Sequence, residues 1–143
     1  MTLQMTGFPV VLQQKLDWGN MDALNHINNV VYFRYFENAR MKYFENTGMM
    51  EVMQATKIGP ILGATECKFL EPLTYPDTIT LGASVSKIRE KRLTMKYAIY
   101  SQKLERIAAE GSGEIVFVDF VTGRSTLIPD AIVVAINNIQ TDE

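Results

Sequence analysis

The stretch from Asn29 to Asn46, NVVYFRYFENARMKYFEN, constrains the fold of this chain more than any other part of it. Arg34, Glu37, Asn38, Arg40, Lys42 and Glu45 break an otherwise apolar surface with helical period, and ten of the residues from Val30 to Phe44 are apolar or aromatic. Asn28 or Asn29 suits the N-cap of such a helix, and Gly48 suits its C-terminal stop. A helix this apolar does not fit a surface position with one narrow stripe, so the pattern predicts one wrapped on several sides. The rest of the chain has to supply the wrapping.

Period-two runs rich in β-branched residues do so. After a short helix near Met49 to Thr56, strands are predicted near Ile58–Leu70, Thr78–Arg89, Leu93–Lys103 and Ile107–Val121. Turn signals at Pro72 to Asp77, Arg89 to Arg92, Leu104 to Arg106 and Thr122-Gly123 separate them, and these short connections predict an antiparallel meander. Upstream, Val10 to Trp18 reads as a strand that Gly19-Asn20 ends, and Met21 to Asn28 as a loop. Pro129 to Asn138 suits a short helix or an edge strand equally well. The fold class is α+β, with a long central helix wrapped by a curved antiparallel β-sheet.

At 143 residues the chain suits one domain, residues 1–143, without room for two ordinary cores. With 47% hydrophobic and 21% charged residues it is globular, and no apolar run approaches bilayer length. Met1 to Val10 lacks the basic and apolar regions of a secretory signal, and the single Cys67 cannot form an intrachain disulfide; both favour a cytoplasmic protein. A net charge of -2 argues against general nucleic-acid binding, and one Cys and one His disfavour a zinc site, so no metal is expected.

The residues from Asp17 to Arg40 carry a denser pattern: a strand ending in Trp18-Gly19-Asn20-Met21-Asp22, a loop reading His26-Ile27-Asn28-Asn29, then Tyr32, Tyr35-Phe36, Glu37 and Arg40 on the helix. This resembles the signature of the 4-hydroxybenzoyl-CoA thioesterase-like family, and the strand order that follows is similar over nearly the whole chain. The resemblance implies the hotdog fold and hydrolysis of an acyl-CoA thioester to free acid and CoA. The acyl group stays open, because one fold and one signature serve many acyl groups.

Thioester hydrolysis needs a nucleophile or base near the carbonyl and donors where the oxyanion develops. Asp22 lies seven residues before Asn29, on a loop approaching a helix N-terminus whose free N–H groups favour negative charge. By the resemblance, Asp22 matches the catalytic aspartate, attacking directly or activating water, and the backbone N–H around Asn29 matches the donor that polarises the thioester. His26 could orient the carboxylate, bind water or protonate the thiolate. The blander alternatives are an Asp22 that caps its loop, a His26 bonded to backbone, and Asn28 and Asn29 as caps. Relatives often carry a second acid from the following strand, here Glu66 or Glu71, though a solvated strand edge is the expectation for both.

Coenzyme A phosphates need cations, and Lys87-Ile88-Arg89-Glu90-Lys91-Arg92 concentrates four at one hairpin. The family's pattern places phosphate contacts at Arg89 and Lys91, with Arg92 beside them and Arg124 as a further contact. CoA enters as part of the substrate, so no cofactor is expected. Family members build their sites between two subunits, which implies a homodimer or homotetramer. Two other functions stay open: an acyl-CoA-binding hotdog protein without turnover, and a hotdog hydratase or dehydratase. The latter ranks last, because such enzymes carry a His on the central helix or its approach beside an acid, and this helix has no His.

Overall fold

The computed structural model describes residues 5–141. Residues 1–4 of the stretch read above for a secretory signal, and residues 142–143 at the end of the expected domain, lie outside the described residues. The elements run β1 (Val10–Lys15), α1 (Asn29–Thr47), α2 (Met49–Thr56), β2 (Ile58–Phe69), β3 (Thr78–Ile88), β4 (Arg92–Ser101), β5 (Arg106–Asp119), β6 (Arg124–Ser125) and α3 (Asp130–Thr141). The open choice at the C-terminus resolves as a helix: Ile132 and Ile136, one turn apart, bury the same face of α3. Strand β1 stops at Lys15 rather than Trp18, because Leu16 turns its N–H to the Asp77 carbonyl and Trp18–Asn20 closes a 3-10 turn.

All pairings are antiparallel, in the order β1-β3-β4-β5-β2, with β6 on β5. The expected meander therefore holds for β3, β4 and β5 only. Strand β2 joins the far edge, beside β5, rather than pairing with β3. The short links that predicted neighbours remain, but the segment 70–77 crosses the sheet instead of folding back as a hairpin. This places β1 at one edge and β2 at the other.

Helix α1 lies on the concave face. It starts at the Asn28 cap, whose side chain accepts from the Val30 N–H, and ends at Gly48, whose φ of 76° a residue with a Cβ rarely adopts. Its buried residues are Tyr32, Tyr35, Phe36, Ala39, Arg40, Tyr43, Phe44 and Thr47, a 3-and-4 spacing that is one face of a helix. Wrapping on several sides is thus not what a single chain provides: Val30 is 69% and Met41 48% exposed. Close approach of α1 to β5 depends on Gly111, where a Cβ would collide with the Phe36 ring and stand 2.7 Å from the Glu66 carbonyl oxygen. Phe36 accordingly stacks on Tyr97, with centroids 5.0 Å apart. Arg40 is buried in this layer, donating to the Tyr97 hydroxyl at 3.2 Å with its guanidinium 6.0 Å from that ring.

The convex face is part apolar and part charged. Residues 5–9 cover one half: Met5 is fully buried, with Phe8, against Ala98 and Tyr100, over the bare backbone of Gly82. Among the described residues, no helix is long and apolar enough to cross a membrane.

Candidate active site

The loop between β1 and α1 is a small hairpin. Met21 bridges Ile27, the Asp22 N–H donates to the His26 carbonyl at 2.9 Å, and Asn25 at φ 63° makes the reversal. Two outside bonds fix it: Ile27 N–H to the Leu73 carbonyl at 2.8 Å and Asn28 N–H to the Asn20 carbonyl at 2.9 Å. Asp22 and His26 are therefore directly opposed, with Cβ atoms about 5 Å apart as cross-strand partners are.

At the helix start the Asn28 side chain takes the Val30 N–H at 3.0 Å, and its carbonyl takes the Val31 N–H at 2.9 Å. The Asn29 N–H has no partner among the described residues. That free donor at the positive end of a helix 19 residues long stands beside a cleft of about 280 Å³. His26, Asn29 and Glu71 are the polar residues on its wall, with Tyr32 and Phe69 among the apolar ones.

Asp22 is not on that wall. Its Oδ1 accepts the Leu24 N–H at 2.9 Å, closing a turn on its own loop, and the side chain is exposed. His26 and Asn29 meet in the cleft, and Asp22 stands across the hairpin from His26.

Glu71 departs from the expected solvated strand edge. The N–H groups of Leu70 and Glu71 both donate to the Ala108 carbonyl, a kink that ends β2 at the cleft, and Arg106 Nη1 reaches Glu71 Oε1 at 2.7 Å. No sequence signal pairs Arg106 with Glu71, which lie 35 positions apart. Glu66 is elsewhere, on the convex face, where its Oε1 accepts from the Ser112 hydroxyl. Burial pushes two phenols of α1 upward: Tyr32, whose hydroxyl accepts the Leu73 N–H at 3.1 Å, and Tyr35, raised to about 12.

The predicted cations share one end of the sheet. The hairpin of Arg89, Lys91 and Arg92 closes through Arg89 N–H to the Arg92 carbonyl, and the Lys91 carbonyl accepts from Phe117. Arg124 pairs with Asp119, two residues on from Phe117, and all four side chains are exposed. Arg89 is also bonded to Thr94 and Glu114 on the convex face. The loop of Asp22 and His26 sits at the other end, since β3 leaves it at Thr78 and reaches the hairpin at Ile88. Eleven residues of strand put the two roughly 30 Å apart in one chain. Among the described residues no group of three or more His, Cys, Asp or Glu gathers to hold a metal ion.

A curled antiparallel sheet around one helix is the hotdog architecture, here with a free donor at that helix's N-terminus. The family model of the thioesterase-like superfamily matches residues 16–136, and the chain belongs to that family. A thioesterase from Thermus thermophilus, solved in complex with coenzyme A and zinc, is 26% identical and superimposes with a TM-score of 0.84 over 96% of this chain and 98% of that one. The long-chain acyl-CoA thioesterase FadM of Escherichia coli (strain K12) is 21% identical over 113 residues, 79% of this chain and 86% of that protein. The protein YsmA of Bacillus subtilis (strain 168) is 25% identical over 92 residues; the match takes in 64% of this chain and 61% of YsmA.

Proposed function

We propose that this chain hydrolyses acyl-CoA thioesters at the cleft where α1 begins. The observation that carries the reading is the Asn29 N–H, left free by the Asn28 cap and beside a cleft that His26 shares. A carbonyl oxygen bonded there would gain stabilisation as it becomes an oxyanion. Asp22 either attacks the carbonyl carbon or takes a proton from the attacking water. In the first route the carbon–sulfur bond breaks as a mixed anhydride of Asp22 forms, and water then cleaves that anhydride to give the acid and restore the carboxylate; in the second, water adds to the carbonyl and the same bond breaks. In both the thiolate of CoA takes up a proton, for which His26 stands opposite Asp22. No cofactor enters, because CoA is part of the substrate.

The Asp22 carboxylate must exchange its bond to Leu24 for the substrate or a water, which a short surface turn permits. Replacement by Asn should keep the turn while lowering kcat by about 10²–10⁴-fold, and Asp22→Ala should lower it as far. Thiol release from an acyl-CoA panel gives the readout, and turnover like that of the parent in either variant removes Asp22 from the mechanism. The same Leu24 bond favours a second reading, an acyl-CoA-binding protein without turnover. Bound acyl-CoA with no thiol released by the parent would select it.

Grip on CoA falls to Arg89, Lys91, Arg92 and Arg124, and their distance from Asn29 makes the partner a second copy of the chain. Strand β2 leaves one edge open along 12 residues, and Ile61, Leu62, Phe69 and Leu70 are 40 to 46% exposed there. Such an edge pairs readily with its own copy. Antiparallel pairing of two β2 strands about a two-fold axis near Gly63 would lay the partner's basic end beside this chain's catalytic end. A homodimer of 1–143 hotdog domains is then the working unit, with a homotetramer as its doubled form. The single Cys67 suits the cytoplasm as its location.

A further inference from the structure

On the footing of the hydrolase reading above, the route in which Asp22 attacks the carbonyl calls for a second base. The Asp22 carboxylate is consumed in the anhydride, so the water that cleaves it must lose its proton to another group. His26 has by then given its proton to the thiolate, and its imidazole faces the new thiol until CoA departs. The carboxylate on the wall of the cleft that His26 and Asn29 share is that of Glu71.

The segment that carries Glu71 is tied to both parts of the site. The N–H groups of Leu70 and Glu71 donate to the Ala108 carbonyl at 2.9 and 3.0 Å. Two residues on, Leu73 accepts from the N–H of Ile27, next to His26, and donates its own N–H to the hydroxyl of Tyr32, in the first turn of α1. Arg106 Nη1 donates to Glu71 Oε1 at 2.7 Å, and Oε2 has no partner among the described residues. The carboxylate is thus held from one side with an oxygen to spare. Glu71 also lies past Phe69, the last residue of β2, so a second copy paired along β2 covers Phe69 and leaves the Glu71 backbone on Ala108.

We propose that Glu71 takes the proton of the hydrolytic water, with Arg106 as the residue that positions its carboxylate. Asp22 attacks, the carbon–sulfur bond breaks, and the thiolate takes its proton from His26. Water then adds to the acyl carbon of the anhydride as Glu71 accepts a proton from it. The bond from that carbon to the Asp22 oxygen breaks, and the acid leaves with the Asp22 carboxylate restored. Glu71 returns its proton to His26 across the cleft, which resets both groups.

The test is pre-steady-state thiol release by the full chain in its native assembly, with whichever of hexanoyl-, benzoyl- and palmitoyl-CoA the parent turns over fastest. Glu71→Gln keeps an acceptor for Arg106; it should lower kcat by about 10²-fold or more and still release a burst of about one thiol per site. Mass spectrometry should then find the acyl group on the peptide that contains Asp22, which a merely structural loss would not produce. Arg106→Gln should lower kcat less, and should add nothing in the double variant. Parent-like turnover in Glu71→Gln, or a loss of turnover without burst or adduct, overturns the role of Glu71 while the hydrolase stands. A rise in KM alone in Arg106→Gln, or an additive loss in the double variant, overturns that of Arg106. No thiol from the parent with any of the three overturns the hydrolase reading, and this inference with it.

Discussion

Tyr35 carries a hydroxyl buried without a hydrogen-bond partner, although the Asn20 side chain comes close enough to lower its pKa a little. Burial dominates and raises it from 10.0 to about 12. Because the folded value lies above the unfolded one, the stability contributed by the neutral phenol is fully present below pH 10 and lost as pH rises toward 12. Tyr35→Phe should therefore raise stability at neutral pH by about 1 kcal/mol, since an unmatched polar group leaves the interior. It should also shrink the alkaline loss without abolishing it, because burial raises Tyr32 and Tyr97 as well. Urea unfolding at neutral pH and at about pH 11 measures both effects, and an unchanged midpoint at neutral pH would show that the hydroxyl is satisfied in solution. Arg40 makes the opposite case: a buried cation that has found its acceptor in Tyr97.

Among the elements, α1, α2 and strands β1 to β5 are legible in the sequence to within a few residues because each has a period of its own, whereas α3 is left open between helix and strand and the two-residue β6 is too short to show a period. The Gly48 stop of α1 is equally plain, being a local backbone requirement, and the N-cap is narrowed to Asn28 or Asn29, of which the structure takes Asn28. Two features are not legible. The position of β2 beside β5 depends on which edge is free once α1 lies across the sheet, and no period records that. The one-sided burial of α1 was hidden because composition counts apolar residues without saying whose surface covers them. Within the site, His26 and Asn29 were legible from the motif, whereas Glu71 needed Arg106 and the kink at Ala108 to reach the cleft. Gly111, unremarkable in sequence, sets how near α1 approaches β5. Gly111→Ala should cost about 1–3 kcal/mol, because the neighbour at 2.7 Å is backbone and cannot step aside. A thermal midpoint equal to that of the parent would mean that α1 and the β2 backbone at Glu66 can both shift at no cost.

In the whole molecule, the loop of Asp22 and His26 and the basic hairpin occupy opposite ends of the sheet, and this yields a test of the proposed pair. Asp22→Ala inactivates the loop of one chain, and Lys91→Glu with Arg92→Glu spoils the hairpin of another. Mixed dimers then contain one site in which an intact Asp22 faces an intact hairpin. Unfolding and refolding the two inactive variants together should restore roughly a quarter of the parent activity, the share of sites so composed under random pairing. Absence of any recovery, with mixed dimers present, would place the CoA grip and the catalytic loop within one chain.

In the proposed pair, the bare backbone along β2 would carry a burden beyond holding two copies together. Were an extended peptide to lie down on that edge, both reaction centres would fall silent at once, though it touched neither. The most effective inhibitor of such a protein would have no need to look like its substrate.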